Sequence, residues 1–409
     1  SIIYFFSESR RLVSIIVLAV PALLGIWTVA QLLRSRFLSI FLGDRIYITS
    51  TCLFTLLLLV ISNLPISLGD TPDGPYVNKE NVNSVRIQKL TGDLPADNVL
   101  PYIVQEYFAN DISFSDHSPI MPGQPVTNRP FLMSLVALPI RLALISNEPK
   151  LIDLPKYSYG GQEWPDFRIL ARNEIGYAVF MGVGVFLNAT ILLALGLFAN
   201  QLWSNKKFDW LLVGLFVSSP FYIFQTIFLW PKNLTAFFIL LAAYLYIVKR
   251  SLVLAGALIG LAYLSHPYAL GYLLMAMVFI FIRDYPKIGM TLKEISRLFI
   301  AFVLITLPWF IWKESFTNIA SNMVTQNLLM NGISFKEFIW VRIVSLSREF
   351  LPIQFIASSF SIKGFYIDSS LNLFGAVGSL ALAATLLMLY ANQTRVCIKE
   401  LSQTYDDYK

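Results

Sequence analysis

The chain has 409 residues, 56% of them hydrophobic and 14% charged, with a net charge of +6 and a mean hydropathy of +0.63. Soluble domains carry about 25% charged residues, so the composition excludes an ordinary soluble protein and points to an all-α polytopic membrane protein. No Lys/Arg-rich run with interleaved aromatics occurs, which argues against nucleic acid as a partner; the positive balance fits Lys and Arg placed beside membrane spans.

The first apolar run, 11–33, follows Arg10 and Arg11 as a signal peptide would. It is long enough to span and no A-x-A cleavage site follows, so it reads as a retained anchor. A short basic linker, 34–45, leads to a second span at 47–68. The polar stretch 69–128 comes next and is followed by an apolar segment, 129–147, that holds Pro130, Pro139 and Arg141. A second polar loop occupies 148–172. Spans are then expected at 173–200, 208–229, 233–248, 251–265, 267–282, 296–312 and 371–392, about ten membrane segments in all. If 148–172 is extracytoplasmic, the later basic loops all fall inside: Lys206 and Lys207, Lys249 and Arg250, Arg283 with Lys287, and Arg395. That is the positive-inside pattern. It requires 129–147 to be re-entrant or interfacial, packed on protein.

These boundaries divide the chain into two N-terminal spans (1–68), an extracytoplasmic loop region (69–172) and a helical core (173–312). An extracytoplasmic amphipathic region (313–370) and a last span with a cytoplasmic tail (371–409) follow. Cys52 and Cys397 lie in or beside apolar segments and read as small core residues. No GxGxxG or P-loop pattern indicates a nucleotide, and no CxxC or HExxH indicates a metal site.

Candidate functional residues concentrate in the first loop. The stretch 98–108 reads as an amphipathic surface helix with Val99, Ile103, Tyr107 and Phe108 along one side. Asp97 sits at its start, as a capping carboxylate or as a general base held at the mouth of a membrane cavity. Asp93 stands four residues earlier as a further candidate, and Asp70 and Asp73 after the second span are rivals for that role, although TPDG is an ordinary turn signal. Asp111, Asp116 and His117 could hold a divalent cation, or simply shape a solvated loop. Arg129, before Pro130, could clamp a phosphate or snorkel to headgroups. Lys232 follows Trp230-Pro231 in a tight turn between spans, where a cation on the extracytoplasmic side would suit an anion. His266 lies before Pro267 inside the apolar run 251–282; ionisable groups at such depth are functional candidates or caps of a broken helix.

Taken in order, these segments resemble the GT-C superfamily of polytopic glycosyltransferases, which use polyprenyl-phosphate sugars. The resemblance rests on PADNVLPYIVQEYFA, NRPFLMSLVALP, SSPFYIFQTIFLWPKNLTAFFILLAAYLY and LAGALIGLAYLSHPYALGYLL, within a layout covering most of 47–290. It implies a large extracytoplasmic loop bearing short surface helices. It further implies Asp97 as the catalytic base, with Arg129, Lys232 and His266 on the phosphate side. The implied partners are a lipid-linked sugar donor and membrane lipids, in a bacterial plasma membrane with the active face extracytoplasmic. No cofactor is required by these residues, and a divalent metal is left open. Two other readings are a non-catalytic GT-C-like subunit of a larger membrane complex and a transporter or lipid flippase.

Overall fold

The structure is a computed structural model that describes residues 44–63, 100–110, 130–144, 156–159, 162–165, 174–202, 206–217, 220–229, 231–247 and 251–316. In chain order its elements are α1 (Arg45–Asn63), α2 (Leu100–Ala109), α3 (Leu132–Leu144), β1 (Lys156–Tyr159), β2 (Gln162–Pro165), α4 (Glu174–Ala189), α5 (Ile191–Leu202), α6 (Lys206–Val217), α7 (Pro220–Ile227), α8 (Lys232–Ile247), α9 (Leu252–Ser265), α10 (Ala269–Asp284) and α11 (Ile288–Phe316). Two units divide the chain, one of residues 1–197 and 225–326 and one of 198–224 and 327–409. The expectations for 11–33, most of 313–370 and 371–392 lie outside the described residues, as does Cys397.

The helical class expected from composition is what the described chain shows. Among the described residues, three helical runs are long and apolar enough to cross a membrane: Arg45–Asn63, Gly176–Asn200 and Ile288–Glu314. Their side chains are distributed as lipid-facing helices require. On α1 the buried face carries Tyr47, Thr51, Phe54, Thr55, Leu58 and Ser62, while Leu53, Leu56, Leu57 and Val60 are exposed. The inward hydroxyls satisfy themselves locally, Thr51 Oγ1 donating to Tyr47 O and Thr55 Oγ1 to Thr51 O, both at 2.7 Å. Polar atoms inside and aliphatic ones outside invert the soluble pattern, which is favourable only where the surroundings are hydrocarbon. Cys52 follows the same logic. It lies exposed on the apolar face of α1, rather than in the core as its sequence context suggested.

The remaining segments differ from the sequence reading in length and burial. The run 208–229 forms two helices, α6 and α7, rather than one, whereas 251–282 divides at His266-Pro267 into α9 and α10 as expected. His266 takes φ −154°, ψ 134°, the extended conformation that a following proline enforces. At 1.5 Å per residue, α3, α8, α9 and α10 span only about 20–24 Å, less than the ~30 Å bilayer core. The second loop contains an antiparallel hairpin, with Tyr159 paired to Gln162 and Lys156 to Pro165. Gly160-Gly161 between the strands is a two-residue hairpin signal that the reading of 148–172 as a polar loop passed over.

The expected surface helix at 98–108 is instead a buried one. Tyr102, Ile103, Val104, Gln105, Glu106 and Tyr107 are all buried in α2, because the helix lies between two neighbours. On one side Ser134 Oγ of α3 donates to Pro101 O at 2.6 Å. On the other, the Tyr102 ring meets Tyr177 of α4 edge-on at 4.9 Å and Phe180 at 5.7 Å.

Helices α8 to α11 pack as an up-and-down set. At one end Ser251 N–H donates to Leu245 O at 3.1 Å, and the Arg283 guanidinium lies 5.4 Å from the Tyr246 ring centre. At the other end the starts of α8 and α10 meet. In the second unit, α6 buries Asp209 in its first turn, where the helix N-terminus favours a carboxylate, and Phe216 packs on Tyr222 at 4.2 Å.

Candidate functional site

Two of the residues singled out from sequence, Lys232 and His266, lie in turns that the fold brings together. The Lys232 turn joins α7 to α8 and is fixed by a strained residue. Leu229 has φ +57°, a left-handed conformation that costs a non-glycine residue about 1–2 kcal/mol. It is held there by burial: Leu229 is 0% exposed, and a Cβ placed on Gly184 would come within 2.9 Å of Leu229 Cδ2. Thr235 Oγ1 closes the start of α8 on Pro231 O at 2.8 Å and also approaches Ala262 O of α9 at 3.3 Å.

The His266 turn is tied to it by Tyr268, whose hydroxyl donates to Lys232 O at 2.7 Å. Tyr268 N–H lies 3.4 Å from His266 Nδ1. Lys232 and His266 are both half-buried. We expect Tyr268→Phe to loosen this junction and cost about 0.5–1.5 kcal/mol, the net value of one hydrogen bond. Unfolding in detergent micelles checks this, and an unchanged midpoint would show that the two turns are held by packing alone.

Beneath the turns lies a layer of amides and hydroxyls. Asn233 Nδ2 donates to Thr226 Oγ1 at 3.0 Å, and Leu234 N–H to Asn188 Oδ1 at 3.2 Å. Asn188 Nδ2 and Gln225 Oε1 are buried with no hydrogen-bond partner. An unpaired buried polar atom costs about 1–3 kcal/mol, so such atoms mark places where water or a ligand group completes the pairing.

The start of α3 lies close to the Lys232 turn. Met133 Sδ would lie 3.4 Å from a Cβ on Gly184, so Met133 and Leu229 share that glycine as a seat. Phe131 packs edge-on against Trp309 and Trp312 of α11, both at 4.7 Å, and Tyr263, three residues before His266, stacks on Phe310 at 5.7 Å. Arg129 precedes Phe131 by two residues and Asp97 precedes Leu100 by three. Both lie outside the described residues, as do Asp70, Asp93, Asp116 and His117. Among the described residues no three His, Cys, Asp or Glu side chains group as a metal site.

The feature that sequence reasoning missed is the fastening of α2 to α3. Arg141 Nε donates to Glu106 Oε1 at 3.1 Å and Nη2 to Oε2 at 2.9 Å, with the two side chains 4% and 0% exposed. Gln105 Nε2 adds a bond to Oε1 at 3.2 Å. Burial also pushes the neighbouring Tyr107 hydroxyl well above its usual pKa, so it stays protonated. The signal was available: a Glu and an Arg in otherwise apolar segments are expected to find each other.

No protein-family model, curated protein or solved structure matches this chain.

Proposed function

We propose that this protein is an inverting membrane glycosyltransferase of GT-C type, moving a sugar from a polyprenyl-phosphate donor to an extracytoplasmic acceptor. The observation that supports this reading is the meeting of three chain segments at one end of the fold: the first turn of α3, the Lys232 turn and the His266 turn. Two cationic or imidazole groups then stand beside the helix that Arg129 leads into. A phosphate placed there would find Lys232 as a charge and His266 beside it, with Arg129 the further cation that the resemblance implies. The buried amides of Asn188 and Gln225 would pair with sugar hydroxyls.

In the proposed reaction the Asp97 carboxylate takes the proton of the acceptor hydroxyl. That oxygen bonds to the anomeric carbon while the bond from that carbon to the phosphate oxygen breaks. The electron pair leaves with the polyprenyl phosphate. Its growing negative charge is what the cations would stabilise, and a phosphate leaves without a strong general acid. The basic residues Lys249, Arg250, Arg283 and Lys287 would lie on the cytoplasmic side, at the opposite end of α8–α11 from Lys232.

The test is transfer of labelled sugar by the purified protein in the presence of lipid-phosphate donors. Transfer by the wild type, lost in Asp97→Asn and lowered in Lys232→Ala with unchanged folding, is the expected result. Full transfer by Asp97→Asn would reject the base assignment. Absence of transfer together with constant co-purification of a larger complex would favour the non-catalytic subunit instead.

A further inference from the structure

A cavity of about 250 Å³ opens between α8, α9 and α10, running from Tyr272, near the start of α10, toward Phe279 and Tyr246. Its floor is made of alanines, among them Ala242, Ala255 and Ala276, and its walls of Tyr246, Met275 and Phe279. Small side chains at the floor are what leave the space. The only side-chain polar atoms in the lining are the hydroxyls of Tyr246 and Tyr272, and the Tyr246 hydroxyl is already engaged by Arg283 Nη1. A sugar or nucleotide would find too few partners inside, so the groove suits hydrocarbon. Drug-sized ligand sites run to about 300–1,000 Å³, so this volume takes a length of chain rather than a whole molecule. The mouth lies on a face where Leu274, Met275, Val278, Phe279 and Ile282 are all exposed, which in a bilayer is the face turned to lipid tails.

The charged groups at the end of the groove indicate which lipid. Arg283 follows Phe279 by four residues and Ile280 by three, which puts it on the groove face of α10. It binds Asp284 through Nε at 2.6 Å and through Nη2 at 2.7 Å, and it also pairs with Glu294. The guanidinium holds the Asp284 carboxyl below the usual carboxylate range, so the pair stays ionised. Lys287, Lys293 and Arg297 are exposed around it, and Arg297 directly precedes Leu298, a lining residue. Among the described residues, four cations stand against two carboxylates here (Arg283, Lys287, Lys293 and Arg297 against Asp284 and Glu294), an excess of two positive charges.

We propose that this groove holds an acyl chain of an anionic phospholipid drawn from the leaflet at the Arg283 end, its phosphate lying against Lys287, Lys293 and Arg297. The groove adjoins the proposed transfer site through Tyr272, whose ring lies 5.9 Å from that of Tyr268, and the proposal does not depend on that site. Such a lipid would brace α8 against α10 where the alanines leave them apart.

The test is native mass spectrometry of the full chain, released from micelles carrying phosphatidylglycerol or phosphatidylcholine. The wild type is expected to retain phosphatidylglycerol about tenfold or more over phosphatidylcholine. Ala276→Trp, and the milder Ala276→Leu, should lose the retained lipid. A triple variant, Lys287→Glu with Lys293→Glu and Arg297→Glu, should keep an acyl chain but lose the preference for the anionic headgroup. Unchanged retention in both Ala276 variants would overturn the proposal. So would equal retention of the two lipids by the wild type. A cross-link from Ala276→Cys to residues 371–392 would overturn it as well, by showing that the chain's own apolar segment fills the groove.

Discussion

Arg141→Ala is expected to be among the most destabilising single substitutions in the described fold, costing about 3–5 kcal/mol. The loss does not come from the value of the ion pair as such. The carboxylate of Glu106 is 0% exposed, and without the guanidinium it would be a buried charge with only neutral amides around it. A pair removed as a whole leaves no such charge, so Glu106→Leu combined with Arg141→Met should recover most of the stability. Arg141→Lys should fall between, because an ammonium cannot reproduce the two parallel bonds of 3.1 and 2.9 Å. Reversible unfolding in mixed micelles, followed by circular dichroism, measures all three against the wild type. Equal stability of the single alanine variant and the double variant would show that Glu106 finds water or another cation when Arg141 is gone. The pair also tethers α2, the helix that Asp97 leads into, to α3, the helix that Arg129 leads into. The single variant should therefore lower any transfer activity before it unfolds the protein.

Gly256→Val is the second large effect. Helices α9 and α11 approach most closely at Gly256 and Gly260, four residues apart on one face, in the small-residue spacing that lets membrane helices touch backbone to backbone. A Cβ on Gly256 would collide with the carbonyl oxygen of Leu298 and stand 3.0 Å from its carbonyl carbon. On Gly260 it would meet Ile305 Cβ at 2.8 Å and Phe302 O at 3.3 Å. Backbone cannot swing aside as a flexible side chain can, so α9 and α11 must separate. Overpacking of this kind costs about 1–3 kcal/mol and more for a larger residue, so Gly256→Ala should already destabilise and Gly256→Val should do so further. Gly271→Ala is the contrast. Nothing lies within 4 Å of its Cβ position, so the gain in helix propensity should stabilise by about 0.5–1 kcal/mol. If Gly256→Ala and Gly271→Ala shift the unfolding midpoint alike, the close approach of α9 and α11 is not real.

How far the candidate site was legible depends on the residue. Lys232 and His266 stood out because an ionisable side chain inside an apolar run is costly and has few reasons to be there. Their mutual placement did not stand out, because the bond from Tyr268 to Lys232 O joins residues 36 apart, and nothing in the spacing of either turn refers to the other. Asn188 and Gln225 passed unnoticed, since a lone amide in an apolar helix carries no charge to explain. Leu229 passed as one more apolar residue, although its backbone conformation sets the turn that presents Lys232.

By itself the sequence determined the helical membrane class, the approximate bounds of α1, α3, α4, α8, α9, α10 and α11, and the break at His266-Pro267. All follow from hydropathy, proline and the short reach of local backbone sterics. Tertiary structure alone decided which side of each helix is covered: that α2 is buried nearly all round, that Cys52 faces outward, that Glu106 meets Arg141, and that Gly256 touches Leu298. The physical reason is that a helix in lipid is apolar on both faces. Hydropathy then says that the helix is there but not which way it faces, and only contact with neighbouring helices selects the buried side.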